Sequence, residues 1–152
     1  MMKLCIAGLT ALGLILVLGN EAHAQTLDLT VNPLSFAYPS GNPDTMPTVS
    51  GPVITVTYRV RQNAGAPWHL AVRANGDLQA GTATIPTTNT TWTATNLGTG
   101  SGTLTNSDQT LVSGIGNVNP ARSGTITFTL LNLWTYSAGT YTQTIVFTLS
   151  AP

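Results

Sequence analysis

The sequence has very little charge, a single cysteine and two histidines. Charged residues make up 7% of the chain, and the two signs balance to a formal net charge of zero, which leaves no electrostatic attraction for nucleic acid or acidic lipid. The cysteine is Cys5, near the N-terminus, so nearly all of the chain lacks a thiol. These absences argue against a disulfide scaffold, a zinc protein and a nucleic-acid-binding protein.

The N-terminus has the layout of a secretory signal peptide. Lys3 precedes an uncharged apolar run from Leu4 to Gly19, and the Ala22–Ala24 tripeptide places small residues at a cleavage site. The alternative is an uncleaved anchor, but the run is shorter than the roughly 20 residues of a membrane span. We therefore predict that residues 1–24 are removed after Ala24. We expect a secreted protein, at the surface or in the periplasm of a bacterium, with no membrane span in the mature chain.

The mature chain, Gln25 to Pro152, has 128 residues, which suits one domain. It contains no Lys and no Glu, and its four arginines balance four aspartates. Threonine accounts for 26 of its residues, and this β-branched side chain suits the solvent face of a strand. The composition is typical of bacterial surface and extracellular β-domains rather than of enzymes.

Alternation of apolar and polar residues is the main structural signal. Ile54, Val56, Tyr58 and Val60 fall on one face of a strand, with threonine and arginine between them. No window after the leader has a helical period. We predict an all-β, immunoglobulin-like antiparallel β-sandwich of about seven to nine strands over residues 25–152. The other strand-like segments are Thr26–Asn32, Leu34–Tyr38, Trp68–Arg73, Thr82–Ile85, Thr90–Thr95, Ser123–Leu131 and Thr140–Ser150, with two short pieces near Thr103–Thr105 and Thr110–Val112. We also predict a hairpin connection at Leu133–Gly139 and place Gln143 near the start of the last strand.

No combination of residues points to catalysis. His69 is the only histidine of the mature chain, and its position between Trp68 and Leu70 places it on the solvent face of a strand. Hydrolytic chemistry needs a base and an orienting group, and a chain without Glu has only four aspartates for paired-carboxylate work. We expect no enzyme activity, no catalytic residue, no metal site and no cofactor. A calcium site at Asp77 and neighbouring carbonyls is the alternative.

Trp134 and Tyr136 are the candidate binding residues. They share one face of a short connection between two convincing strands. There they could stack on a sugar or dock on a partner, which would make the chain a small carbohydrate-binding module. The other interpretation is that they cap the end of the sandwich.

Three short motifs carry a resemblance to known families. Leu34–Tyr38, the Pro/Gly loop after it and the Val53–Arg61 strand resemble the opening of bacterial immunoglobulin-like domains. Ala138–Tyr141, followed by apolar residues at 145, 147 and 149, resembles the closing strand of spore-coat-protein-U-type and chaperone–usher-type pilin domains. Trp68–Leu70 and the terminal Phe147–Pro152 also resemble WxL surface domains. The predicted mature chain departs from the coat-protein-U pattern in lacking cysteines. The resemblance implies the architecture and a surface location, and it assigns no binding residue.

The resemblance also raises the question of how the sandwich ends. In immunoglobulin folds a Gly-x-Tyr corner precedes the penultimate strand, F. If Tyr141 marks strand F, the chain ends without strand G, and an exposed sheet edge invites strand addition from another chain. The alternatives are that the last strand is G, or that Thr26–Asn32 closes the gap. We therefore expect a non-catalytic surface, structural or adhesive protein, such as a fimbria-like or coat subunit, that associates with itself or with another surface protein.

Overall fold

A computed structural model of the chain describes residues 25–35, 37–39 and 41–151. The predicted signal peptide, residues 1–24, lies outside the described residues, as do Phe36, Ser40 and Pro152. Within the described part, the regular elements are all strands except for one short 3₁₀ turn, Thr87–Asn89. No helix in that part is long and apolar enough to cross a membrane.

Seven strands have six or more residues, and four short pieces of three residues accompany them. The long strands are β1 (Thr26–Asn32), β3 (Ile54–Arg61), β4 (Pro67–Ala74), β7 (Thr90–Thr95), β9 (Gln109–Ile115), β10 (Val118–Leu131) and β11 (Ile145–Ser150), and the short ones are β2 (Thr48–Ser50), β5 (Leu78–Ala80), β6 (Ala83–Ile85) and β8 (Ser101–Thr103).

Two antiparallel sheets form the sandwich. The first has the order β1-β3-β10-β7-β8, with β2 pairing beside the end of β10, and the second has the order β11-β4-β9. Strands β1, β3, β10 and β7 follow the A-B-E-D order of an immunoglobulin sheet, and β4 and β11 take the places of C and F in the facing sheet. The prediction of an all-β, antiparallel β-sandwich is confirmed. The β5–β6 hairpin forms a separate two-stranded sheet, and a bridge between Gln79 and Thr142 connects it to the segment that precedes β11.

The two sheets share one hydrophobic core because each strand turns its apolar residues inward. Ile54 and Phe128 of the first sheet and Leu70 and Phe147 of the second belong to the same buried cluster. The outer face of the first sheet carries threonines in register across strands. Three pairs lie between β10 and β7: Thr125 with Thr95, Thr127 with Thr93, and Thr129 with Thr91.

The prediction of a strand at Leu34–Tyr38 is wrong for the residues described there. Leu34, Ser35, Ala37 and Tyr38 have no strand conformation, and Leu34 is 53% exposed. The prolines at 33 and 39 flank this segment, and neither can donate a backbone N–H to a ladder.

The interpretation of Leu133–Gly139 as a hairpin connection is also wrong. This segment leaves β10 in the first sheet and leads to β11 in the second, so it crosses from one sheet to the other. The final strand begins at Ile145, later than predicted. Gln143 precedes it and is buried, and its amide nitrogen donates to the carbonyl of Gly76 at 2.8 Å. The same nitrogen donates to Oγ1 of Thr87 at 3.0 Å, whereas the buried amide oxygen has no hydrogen-bond partner among the described residues.

Candidate functional site

The two predicted binding residues lie at one end of the sandwich, where the chain crosses between the sheets. Trp134 is 66% exposed, whereas Tyr136 is half-buried and packs against the core. Both line a single pocket of about 410 Å³. The other lining residues are Tyr38, Pro39, Gly41, Pro43, Val49, Ile85, Leu130, Leu131, Asn132, Leu133, Ser137, Ala138, Gly139 and Tyr141.

The indole ring of Trp134 is held from the neighbouring loop. Its N–H donates to Oδ1 of Asp44 at 2.8 Å. Asp44 belongs to a turn, in which its backbone N–H donates to the side-chain oxygen of Asn42 at 2.9 Å. Asn132, at the end of β10, donates from Nδ2 to the carbonyls of Gly41 (3.1 Å) and Met46 (2.9 Å). These two hydrogen bonds hold the loop that carries Asp44 against the end of β10, shortly before Trp134.

Tyr136 is oriented by a second element. Its hydroxyl oxygen accepts a hydrogen bond from Nδ2 of Asn89, in the 3₁₀ turn before β7. Its backbone N–H donates to the carbonyl of Leu133 at 3.1 Å, which closes a tight turn around Trp134. The two rings thus play different parts: Tyr136 covers the end of the core, and Trp134 stands out from it.

Two further tyrosines complete the aromatic lining of the pocket. Tyr38 is half-buried, and this burial raises the pKa of its hydroxyl, which keeps the group protonated. Tyr141 is buried, and its hydroxyl donates to the carbonyl of Ser137 at 3.0 Å. No residue that lines the pocket is Asp, Glu, Lys, Arg or His. The carboxylate of Asp44 is bonded to the indole N–H of Trp134, which lines the pocket.

The hydroxyl contact of Tyr141 also helps to identify the last strand. A tyrosine at the approach to strand F whose hydroxyl bonds to backbone a few residues upstream is the tyrosine corner of immunoglobulin folds. The pairing agrees, because β11 lies beside β4, as F lies beside C. Strand β1 pairs with β3 in the other sheet, so in the described residues it does not close the second sheet beside β11.

The outer side of β11 has no strand beside it in the described part of the chain. Antiparallel partners alternate between hydrogen-bonded and non-bonded pairs. The N–H of Asn75 donates to the carbonyl of Thr144 (2.8 Å), whereas that of Ala74, opposite Ile145, donates away from β11 to Thr105 (2.8 Å). By this alternation, the backbone N–H and C=O groups of Ile145, Phe147 and Leu149 point toward the open side.

Side chains near this open edge are covered less completely than those in the middle of the sandwich. Leu27 and Leu29 of β1 are only half-buried, although they face the core. Ile54 and Val56 of the adjacent β3 are fully buried. The edge therefore offers unpaired backbone groups next to incompletely covered apolar side chains.

The other chemically notable side chains form no composite site. His69 is exposed, as predicted, and the hydroxyl oxygen of Ser150 lies 3.0 Å from its Nε2. Asp77 accepts the backbone N–H of Thr87 at 2.8 Å, and Gly76 offers its carbonyl to the Thr87 hydroxyl, so these groups hold a turn together. Among the residues that the structure describes, no group of three or more His, Cys, Asp or Glu is placed to hold a metal ion.

A comparison with protein-family models, with curated proteins and with solved structures finds no match to this chain.

Proposed function

We propose that the chain is a non-catalytic, exported surface subunit that assembles when another chain adds a strand to the outer side of β11. The observation that carries this proposal is the place of β11 at the edge of its sheet, in the position of strand F, with no strand G beyond it in the described residues. The predicted leader would deliver the chain to the compartment in which such assembly takes place.

The chemistry of the edge suits an incoming extended segment. The outward backbone groups of Ile145, Phe147 and Leu149 would supply three donors and three acceptors, and each hydrogen bond contributes about 1 kcal/mol net. Every second side chain of the added strand would point inward, onto Leu27 and Leu29. Backbone pairing thus provides affinity, and the apolar contacts select a segment of alternating character.

The edge of β11 favours the addition of a strand over the docking of a folded partner's surface. A sheet edge with unpaired groups is a template for another strand, and natural proteins usually protect it with charge, proline or a bulge. The residues of β11 are Ile, Val, Phe, Thr, Leu and Ser, so none of these protections is present in it. We expect oligomers whose fraction rises with protein concentration.

The test is an extension of the secreted chain beyond Pro152 by an Asn-Gly turn and a strand of alternating Ile and Thr. The matched control replaces each Ile of this strand with Thr, which keeps the length and removes the apolar face. We expect the apolar extension to raise the Tm and to abolish oligomers in multi-angle light scattering. The control should do neither. A parent chain that stays monomeric at high concentration, with a Tm unchanged by either extension, would contradict the proposal.

A further inference from the structure

We propose that the pocket beside Trp134 binds an uncharged sugar ring, with the indole face of Trp134 as the stacking surface and the carboxylate of Asp44 as the acceptor for sugar hydroxyls. This inference does not depend on strand addition. The pocket lies where β11 begins, and the open edge of β11 runs away from it toward Ala151. A surface subunit could use both features at once.

The exposure of Trp134 sets it apart from the other two tryptophans. Trp68 and Trp92 are core residues, 5% and 2% exposed, whereas Trp134 is 66% exposed. A large apolar ring left in water beside a pocket is typical of a binding surface. The hydrogen bond to Asp44 fixes this ring before any ligand arrives, which lowers the entropic cost of binding.

Asp44 gives the site a polar partner at the edge of the indole. Its Oδ1 accepts the indole N–H, and among the described residues no hydrogen bond uses its Oδ2. A sugar ring has apolar C–H faces and a rim of hydroxyls, so one molecule can stack on the indole and donate to an adjacent carboxylate. Hydrogen bonds to an ionised acceptor are stronger than those between neutral groups.

The walls of the pocket set the size and charge of the ligand. A volume of about 410 Å³ lies near the lower end of the range for small-molecule sites, which suits one or two sugar rings. The lining has no cationic side chain, and Asp44 would repel a uronic or sialic acid. Tyr136, held by Asn89, supplies a second rigid ring in the lining. These features favour a neutral hexose unit over an acidic one.

Acrylamide quenching of tryptophan fluorescence gives a readout specific to this pocket, because two of the three indoles are buried. The probes are maltose, cellobiose, lactose, galactobiose, diacetylchitobiose and digalacturonic acid. Galactobiose and digalacturonic acid form a matched pair that differs in oxidation at C6. We expect at least one neutral disaccharide to protect Trp134 from the quencher. We also expect galactobiose to bind at least about tenfold more tightly than its acidic counterpart, the size of one charged contact.

Variants then assign the binding to the proposed residues, by calorimetry with the tightest neutral disaccharide. Trp134→Ala should abolish binding. Trp134→Phe, which keeps a ring but loses the N–H bond to Asp44, should weaken it roughly tenfold. Asp44→Asn should narrow the difference between galactobiose and digalacturonic acid. Ile115→Ala, which truncates another exposed apolar side chain outside this pocket, is the control and should bind normally.

Two results would overturn the proposal: no neutral disaccharide protects Trp134, or Trp134→Ala binds sugar as well as the parent chain does. Near-ultraviolet circular dichroism of each variant establishes that it is folded. The same titration on the chain with the apolar C-terminal extension separates this inference from strand addition. Sugar binding there without oligomers supports the pocket, whatever the assembly experiment gives.

Discussion

Two tryptophans of the core are each paired with a glycine on the neighbouring strand. Trp68 stands opposite Gly114, and Trp92 stands opposite Gly102. A Cβ added at Gly114 would lie 2.5 Å from Cζ2 of Trp68, and one at Gly102 would lie 2.6 Å from Cζ2 of Trp92. The indoles therefore occupy the space above the glycines. Each indole thereby supplies the apolar packing that a glycine, which has no side chain, cannot provide.

The packing of Trp68 over Gly114 predicts that a single methyl group added at this glycine lowers the stability of the fold. In Gly114→Ala the new Cβ would force the Trp68 ring out of its position against Tyr58, whose ring centroid is 5.5 Å away. We expect a loss of about 1–3 kcal/mol in the free energy of unfolding, the usual cost of overpacking. Gly100→Ala is the control, because a Cβ there meets nothing within 4 Å and should leave stability nearly unchanged. Urea denaturation of both variants measures the difference, and equal midpoints would contradict the ring-over-glycine packing.

The raised pKa of Tyr38 predicts that the fold loses stability at alkaline pH. Its pKa is raised by burial, so the folded chain keeps this proton at a pH at which the unfolded chain has lost it. The unfolded pKa is about 10, and each pH unit above it should cost about 1.4 kcal/mol while the folded hydroxyl remains protonated. We expect Tyr38→Phe to flatten the fall of Tm between roughly pH 10 and pH 12 relative to the parent. Parallel curves for the two proteins would show that Tyr38 does not govern this loss.

At the level of secondary structure, the alternation of apolar and polar residues predicts the strands in which this alternation is unbroken. β3 was expected from Ile54, Val56, Tyr58 and Val60, and all four are buried. The start of β10 was placed at Ser123, but the strand begins at Val118. Its first part has exposed residues and a shift in register between Val118 and Arg122, so the two-residue rhythm is absent there. Periodicity therefore locates a strand where apolar and polar residues alternate, and it misses a stretch of strand in which they do not.

The candidate site could be predicted only in part from the sequence. Trp134 and Tyr136 are close together in the chain, and their spacing indicated a shared face that the structure places in one pocket. Asp44 belongs to a turn, and nothing in the sequence around it indicates a contact with Trp134. Its bond to Trp134 spans 90 positions, and that of Asn89 to Tyr136 spans 47. Contacts over such distances in the chain depend on how the connecting segments come together at one end of the sandwich. A pattern of neighbouring residues in the sequence does not reveal them.

At the scale of the whole molecule, stability depends on the core rather than on charge. One buried cluster draws residues from both sheets. The ion pair of Arg59 with Asp28 (2.5 Å) joins β1 to β3, and that of Arg73 with Asp108 (3.3 Å) lies on the other sheet. In both pairs the side chains are at least one-third exposed, so water and salt screen them, and each contributes on the order of 0–1 kcal/mol.

This balance predicts different responses of the free energy of unfolding to two salts. Raising NaCl from about 0.05 M to about 0.5 M shortens the distance over which charges interact. Because the chain has few charges, we expect the free energy of unfolding to change by less than about 1 kcal/mol. Sodium sulfate at equal ionic strength should raise the free energy of unfolding, because excluded salts strengthen apolar burial. Urea titrations in each salt measure both effects. A loss of several kcal/mol in NaCl would mean that charge pairs, and not the packed sheets, hold this chain together.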